Sequence, residues 1–84
     1  MATTSKQIQK RYENAKNQFD PWKQQLVFNL TDGSEMVLEL TREDREFTLF
    51  HVGEETVKTL KAIDEKVAGM IAAGQVMNVY VDSL

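Results

Sequence analysis

His51 is the single histidine of the chain, and its imidazole is the side chain best suited to acid–base catalysis or metal binding. The acidic residues near it in sequence are Glu43, Asp44, Glu46, Glu54 and Glu55. A transition-metal site needs several imidazole or thiolate ligands, whereas this chain has one imidazole and no cysteine. No motif combines a nucleophile, a base and an orienting group. We therefore interpret His51 as a strand-surface residue, and we expect no enzymatic activity, no metal and no cofactor.

The composition is that of one small globular domain, residues 1–84. Of its 84 residues 42% are hydrophobic and 27% are charged, and this length accommodates one domain but not two. The absence of cysteine excludes a disulfide scaffold, and the four glycines lie too far apart to form a phosphate-binding loop. No apolar run approaches the roughly 20 residues that span a bilayer, and the first residues contain no apolar leader. We therefore expect a cytoplasmic protein without membrane contact.

The charge is distributed unevenly along the chain. Residues 1–24 hold five basic and two acidic residues, whereas residues 25–84 hold five basic and eleven acidic ones. A basic arm on an acidic body is compatible with nucleic-acid binding. The arm's candidate contacts are Lys6, Lys10, Arg11 and Lys16. These side chains surround the predicted helix and do not form one row, so nucleic-acid binding is a less favoured alternative. A second alternative is that the acidic body mimics nucleic acid and inhibits a nucleic-acid enzyme.

The first element is a helix over residues 4–18. Its apolar residues are Ile8, Tyr12, Ala15 and Phe19. This spacing places them in one narrow stripe, which predicts a helix that docks on the rest of the fold as an outer arm. Pro21 ends the helix, because the residue before a proline avoids the α region.

A β-hairpin follows over residues 24–31 and 35–40. Both segments alternate apolar and polar residues, and Asp32-Gly33 between them is a strong turn signal. Residues 42–52 are ambiguous from the sequence. We predict a charged turn followed by a third strand over 46–52, with a short helix over 42–51 as the alternative.

Glu54 and Glu55 predict the start of a second helix over residues 54–73, because acidic side chains are favourable near a helix N-terminus. Its apolar arc is wide enough to cover the apolar face of a sheet. A last strand is predicted over 76–81. The predicted class is α+β in the order α-β-β-β-α-β: a small antiparallel sheet with one helix across its apolar face, residues 24–84, and the N-terminal amphipathic helix.

Two features of the second predicted helix indicate contacts. Asp64 lies within the apolar arc, where a carboxylate is costly unless it is paired. We expect it to meet a base, Arg11 or one across an interface, or else to reach solvent at the rim of the arc. Small residues at 62, 69 and 73 permit close approach of the first helix or of a second copy, although the two alanines also suit any helix.

The second face of the sheet is predicted to be rich in apolar residues, namely Val27, Val37, Phe50, Val76 and Tyr80. Either the first helix covers part of that face or another protein does. We therefore predict a non-catalytic protein-binding or assembly module that binds another protein or a second copy of itself, of the size and composition common among accessory proteins of phages. The candidate partner-binding residues are Tyr12, Trp22, Asp64, Gly69 and Tyr80.

Overall fold

The computed structural model describes residues 4–84, which form two helices and one five-stranded sheet. In chain order the elements are α1 (Ser5–Gln18), β1 (Gln24–Leu30), β2 (Glu35–Thr41), β3 (Glu46–His51), β4 (Glu54–Lys58), α2 (Leu60–Ala72) and β5 (Val76–Ser83). The strands pair antiparallel in the order β4-β3-β2-β1-β5. The predicted α+β class is therefore confirmed. In the described part of the chain, neither helix has the length and hydropathy required to cross a membrane.

The N-terminal helix begins and ends as its sequence predicts. Thr4 accepts a hydrogen bond from the Gln7 backbone, and the Gln7 side chain accepts one from the Thr4 backbone, so the first turn has a capping box. The helix ends before Asp20-Pro21. Its apolar stripe packs on the sheet and on α2 as part of the hydrophobic core.

The hairpin and the third strand are confirmed. Leu26 pairs with Leu38 across β1 and β2, and Leu38 pairs with Leu49 across β2 and β3, so these leucines line one buried face. The alternative helix over 42–51 is not formed. Asp44 instead accepts hydrogen bonds from the Thr41 hydroxyl and the Glu46 backbone, which closes a turn between β2 and β3.

The prediction of a helix over residues 54–73 is wrong in its first part. Residues 54–58 form β4, an additional strand, and α2 begins only at Leu60. This segment pairs with β3 and brings Val57 opposite Leu49, so the edge of β3 is occupied. Long-range pairing thus outweighs a local pattern that is compatible with a helix. The chain passes from strand to helix through one residue, Thr59, whose φ is +70°.

Both helices cover the same face of the sheet. Side chains from α1, α2 and that sheet face form a single hydrophobic cluster. The expected position of Val76 on the opposite face is wrong, because an irregularity in the β1–β5 pairing places Val76 opposite Leu30 and leaves Met77 exposed. Such a bulge moves the side chains of the residues before it to the opposite face of the sheet. Val76 therefore lies in the core.

The strained junction at Thr59 generates a stability prediction. Thr59→Gly should raise the free energy of unfolding by about 1 kcal/mol, because glycine adopts a positive φ without steric cost and is an acceptable N-cap. Thr4→Gly is the matched control, since Thr4 caps α1 at an ordinary φ of −78°. It should lower the stability by roughly 0.5 kcal/mol. Urea unfolding measures both, and a loss of stability in both variants would contradict a strained Thr59.

Candidate functional site

The sheet face opposite the helices carries a continuous apolar row. Phe50 pairs with Val37, Val37 with Val27, and Val27 with Tyr80, so the row crosses β3, β2, β1 and β5 in register. No helix of the described chain packs on this face, because α1 and α2 both lie on the other one. Val27 at the centre is buried, whereas Tyr80 at the β5 end is 39% exposed. The structure thus has the expected apolar second face, but Val76 is not part of it.

A shallow groove of about 460 Å³ lies at the other end of the row. Its lining residues are Ser34, Glu35, Val37, Glu39, Phe50, Val52 and Gly53. The walls come from β2, from β3 and from the turn between β3 and β4. The groove therefore has an apolar floor, formed by Val37 and Phe50, with two carboxylates beside it.

Val52 is the unusual residue of this groove. It has a φ of +53° and Gly53 has a φ of +78°, the signs required by a type I′ hairpin turn. Asparagine or glycine normally occupies the first of these positions, because a β-branched side chain is strained there. Val52 is also 74% exposed. The residue thus carries both backbone strain and apolar exposure, and it contributes nothing to the buried core.

His51 lies in a polar cluster that sequence reasoning missed. The Ser34 hydroxyl donates to Asp32 Oδ1 at 2.6 Å, and Ser34 Oγ lies 2.9 Å from His51 Nε2. Hydrogen bonds from the Ser34 hydroxyl and backbone, with a smaller contribution from His51, hold the pKa of Asp32 below its usual range. The sequence signal that could have indicated the contact between Asp32 and Ser34 is the Asp-x-Ser spacing, which is typical of an Asx turn.

This cluster differs from a catalytic triad in the order of its three side chains. In a triad the serine hydroxyl donates to the histidine, and the carboxylate accepts from the far side of the ring. Here the Ser34 hydroxyl donates to Asp32, and the same Oγ atom contacts His51 Nε2, so the serine lies between the carboxylate and the imidazole. The arrangement joins the β1–β2 turn to the end of β3.

Asp64 is paired, but with a different base from the one expected. Its Oδ1 atom accepts from the Tyr12 hydroxyl at 2.5 Å and from Lys16 Nζ at 3.0 Å. Arg11 instead donates to the side chain of Asn78. One turn of α1 therefore presents both donors to Asp64, and the prediction of Arg11 as its partner is wrong.

The environment of Tyr12 affects its ionisation. The side chain is 1% exposed, and Lys16 Nζ lies 5.2 Å from the centre of its ring. Burial and the hydrogen bond to Asp64 raise the pKa of Tyr12 far above its ordinary value. Tyr12 is thus a core residue that joins α1 to α2, with no surface to offer a partner.

The remaining predicted residues are dispersed. Trp22 is 49% exposed at the end of the sheet remote from the groove, where its carbonyl accepts from Arg42. Gly69 lies on the outer side of α2, and a Cβ added there would meet nothing within 4 Å, so α1 does not approach α2 at this position. Lys6 and Lys10 are exposed, whereas Lys16 is engaged by Asp64. Of the predicted partner-binding residues, only Tyr12 and Asp64 come together.

Comparison of the chain with known protein families, curated proteins and solved structures gives no match. Within residues 4–84 there is no group of three or more histidine, aspartate or glutamate side chains close enough to hold a metal ion. The features that distinguish the surface are the apolar row, the groove and the strained Val52.

The buried Tyr12 hydroxyl predicts a specific loss of stability in alkaline solution. A raised folded-state pKa means that the folded chain keeps this proton while the unfolded chain loses it near pH 10. The stability that the protonated Tyr12 hydroxyl contributes is thus fully present below pH 10 and is lost progressively as the pH rises above 10. Tyr12→Phe should cost about 1 kcal/mol at pH 7 through the lost hydrogen bond, and its stability should fall less steeply between pH 10 and pH 11.5.

Urea unfolding at a series of pH values measures this difference. Tyr80→Phe is the matched control, because it removes a hydroxyl from an exposed ring. We expect its profile to follow that of the wild type. Parallel pH profiles for Tyr12→Phe and the wild type would show that the Tyr12 hydroxyl does not titrate differently in the folded and unfolded chains.

Proposed function

We propose that this chain is a non-catalytic protein-binding module whose contact surface is the groove at the turn between β3 and β4. The observation that carries the proposal is Val52. Its β-branched side chain occupies a turn position that favours asparagine or glycine, and it is 74% exposed. An observed backbone outlier of this kind supports an inference of function, because folding alone does not favour it.

The chemistry of the groove defines the kind of partner that fits it. Val37 and Phe50 form an apolar floor, and Glu35 and Glu39 are also part of the lining. An apolar side chain flanked by a basic residue satisfies both features, since the apolar group leaves water and the base meets a carboxylate. The proposed partner is therefore a protein segment that presents an aliphatic or aromatic residue beside lysine or arginine.

The proposal includes a cytoplasmic location and an accessory role in a phage or mobile element. A cytoplasmic module agrees with the lack of cysteine, since disulfides are typical of secreted small domains. An accessory role in a phage or mobile element is supported by size and composition alone. The nucleic-acid alternative is less favoured, because Lys16 and Arg11 already have side-chain partners within the chain.

Val52→Asn should separate folding from binding. Asparagine relieves the turn, so we expect the free energy of unfolding to rise by about 1 kcal/mol. The same substitution removes apolar contact area, so affinity for the partner should fall by about tenfold. Urea unfolding and titration calorimetry with the purified partner measure the two effects. Unchanged affinity in a stabilised variant would place the binding surface elsewhere.

The partner needed for that titration can be obtained by site-specific photo-crosslinking. A photoreactive residue at position 52 should capture one protein in a lysate of the cells that express this chain. The same residue at position 68, on the exposed side of α2, is the control. Phe50→Lys in the chain labelled at position 52 should abolish capture while circular dichroism shows an intact fold. Equal capture from both positions would contradict a groove-specific partner.

A further inference from the structure

The two edges of the sheet differ in the protection that their own residues give them. The edge strand β4 has five residues, and Glu54, Glu55 and Lys58 are charged. The edge strand β5 has eight residues and one charged side chain, Asp82, and it contains neither lysine nor proline. Charged side chains and prolines are the usual protection of an edge against pairing with another strand. The residues of β5 therefore supply little protection of their own beyond the bulge at Met77.

The backbone of β5 has the features of a template for another strand. The Leu84 N–H donates to the Lys23 carbonyl at 3.0 Å, so the backbone of Leu84 is directed inward, to β1. Because successive residues of a strand direct their backbone groups to opposite sides, Val79, Val81 and Ser83 direct theirs outward. The side chain of Val81 is also exposed. An apolar edge with outward donors and acceptors in strand spacing pairs readily unless something covers it.

The side chain of Arg11 crosses this edge from one face of the sheet to the other. Arg11 belongs to α1, which packs on the helix side of the sheet, and its Nη1 atom donates to Asn78 Oδ1 at 3.3 Å. Asn78 lies on the open side, because it is two residues before Tyr80 in the same strand. Since β1 occupies the inner side of β5, Arg11 reaches Asn78 round the outer edge.

The packing of α1 holds Arg11 in this position. The neighbouring residue, Tyr12, is buried, and its hydroxyl donates to Asp64 of α2, so the rotation of α1 about its own axis is set. Adjacent residues of a helix project about 100° apart. With Tyr12 directed to α2, Arg11 is directed to β5, the other element against which α1 packs. The helix therefore delivers the guanidinium to the edge as a consequence of its docking.

The guanidinium places an uncompensated positive charge at the edge. Arg11 forms no salt bridge with any residue of the described range 4–84, and its partner Asn78 is a neutral amide. A strand that paired with the outward backbone groups of Val79, the residue after Asn78, would have to bury this charge or displace the side chain. Burial of a charge without an opposite charge is costly. Arg11 thus supplies the charged protection that the residues of β5 lack.

We propose that Arg11 is a strap that closes the outer edge of β5 against pairing with another strand. The strap is anchored at both ends, by the docking of Tyr12 in the core and by the hydrogen bond to Asn78. Its protection comes from a different element, so the edge is closed only after α1 has docked. In a solution of the purified chain, the strand that an opened edge meets is β5 of another copy.

Light scattering coupled to size-exclusion chromatography tests the strap. At about 0.5 mM protein, well above the Kd of a micromolar pair, Arg11→Ala should have at least twice the mass of the wild type. Lys10→Ala is the matched control, because Lys10 is an exposed base of the same helix and its loss changes the net charge equally. It should keep the wild-type mass. No increase for Arg11→Ala, or the same increase for both variants, would overturn the proposal.

A second substitution in the Arg11→Ala chain locates the association. Val81→Pro removes an outward N–H and leaves the bonds to β1 intact, so it should return the mass to that of the wild type. Val81→Lys keeps the backbone and places a charge at the edge, and it should have the same effect. Circular dichroism shows which of the double variants are folded. Association that persists in a folded double variant would overturn pairing through the edge of β5.

Substitution of Asn78 tests whether the strap needs its second anchor. Asn78→Ala leaves Arg11 in place but removes the acceptor of its hydrogen bond, so we expect association like that of Arg11→Ala. Asn29→Ala is the matched control, because Asn29 lies opposite Asn78 on the same sheet face and accepts nothing from Arg11. It should keep the wild-type mass. A wild-type mass for Asn78→Ala would overturn the role of this contact in closing the edge.

Discussion

Both helices are held on one face of the sheet, and the rest of the molecule follows from this arrangement. The hydrophobic cluster draws α1 and α2 to the Leu26 and Phe28 face. The Asp64 carboxylate then accepts from Tyr12 and Lys16, which sets the position of α1 against α2 through a partly buried, charge-assisted contact. Within residues 4–84, all other elements are strands of the sheet itself, so no described element covers the opposite face. That face therefore keeps its apolar row of Phe50, Val37, Val27 and Tyr80.

The backbone outliers at Thr59 and Val52 have different physical meanings. Thr59 joins a strand directly to a helix, so the connection itself demands an unusual conformation, and the hydroxyl compensates by capping α2. Val52 stands in a two-residue turn that asparagine and glycine form without strain. Its side chain is mostly in water. The strain at Thr59 is thus explained by the fold, whereas the connection between β3 and β4 does not require the strain at Val52.

The sequence by itself determined α1, the first hairpin, β3 and the last strand, because each follows from a local pattern: an apolar period, a turn pair or a run of β-forming residues. It also indicated that the second sheet face is apolar. The groove was not predictable, since the strain at Val52 is visible only once the turn's φ angles are known. The cluster of Asp32, Ser34 and His51 was also not predictable, because it forms only when the end of β3 lies beside the turn between β1 and β2.

Only the tertiary structure decided three further points. Residues 54–58 are compatible with a helix by their apolar spacing, but the free edge of β3 makes them a strand. Val76 enters the core because a bulge at Met77 changes the facing of the chain. Asp64 meets Lys16 and not Arg11, because the rotation of α1 about its own axis is set by packing. Each point depends on a contact between segments distant in sequence, and local periodicity contains no information about such contacts.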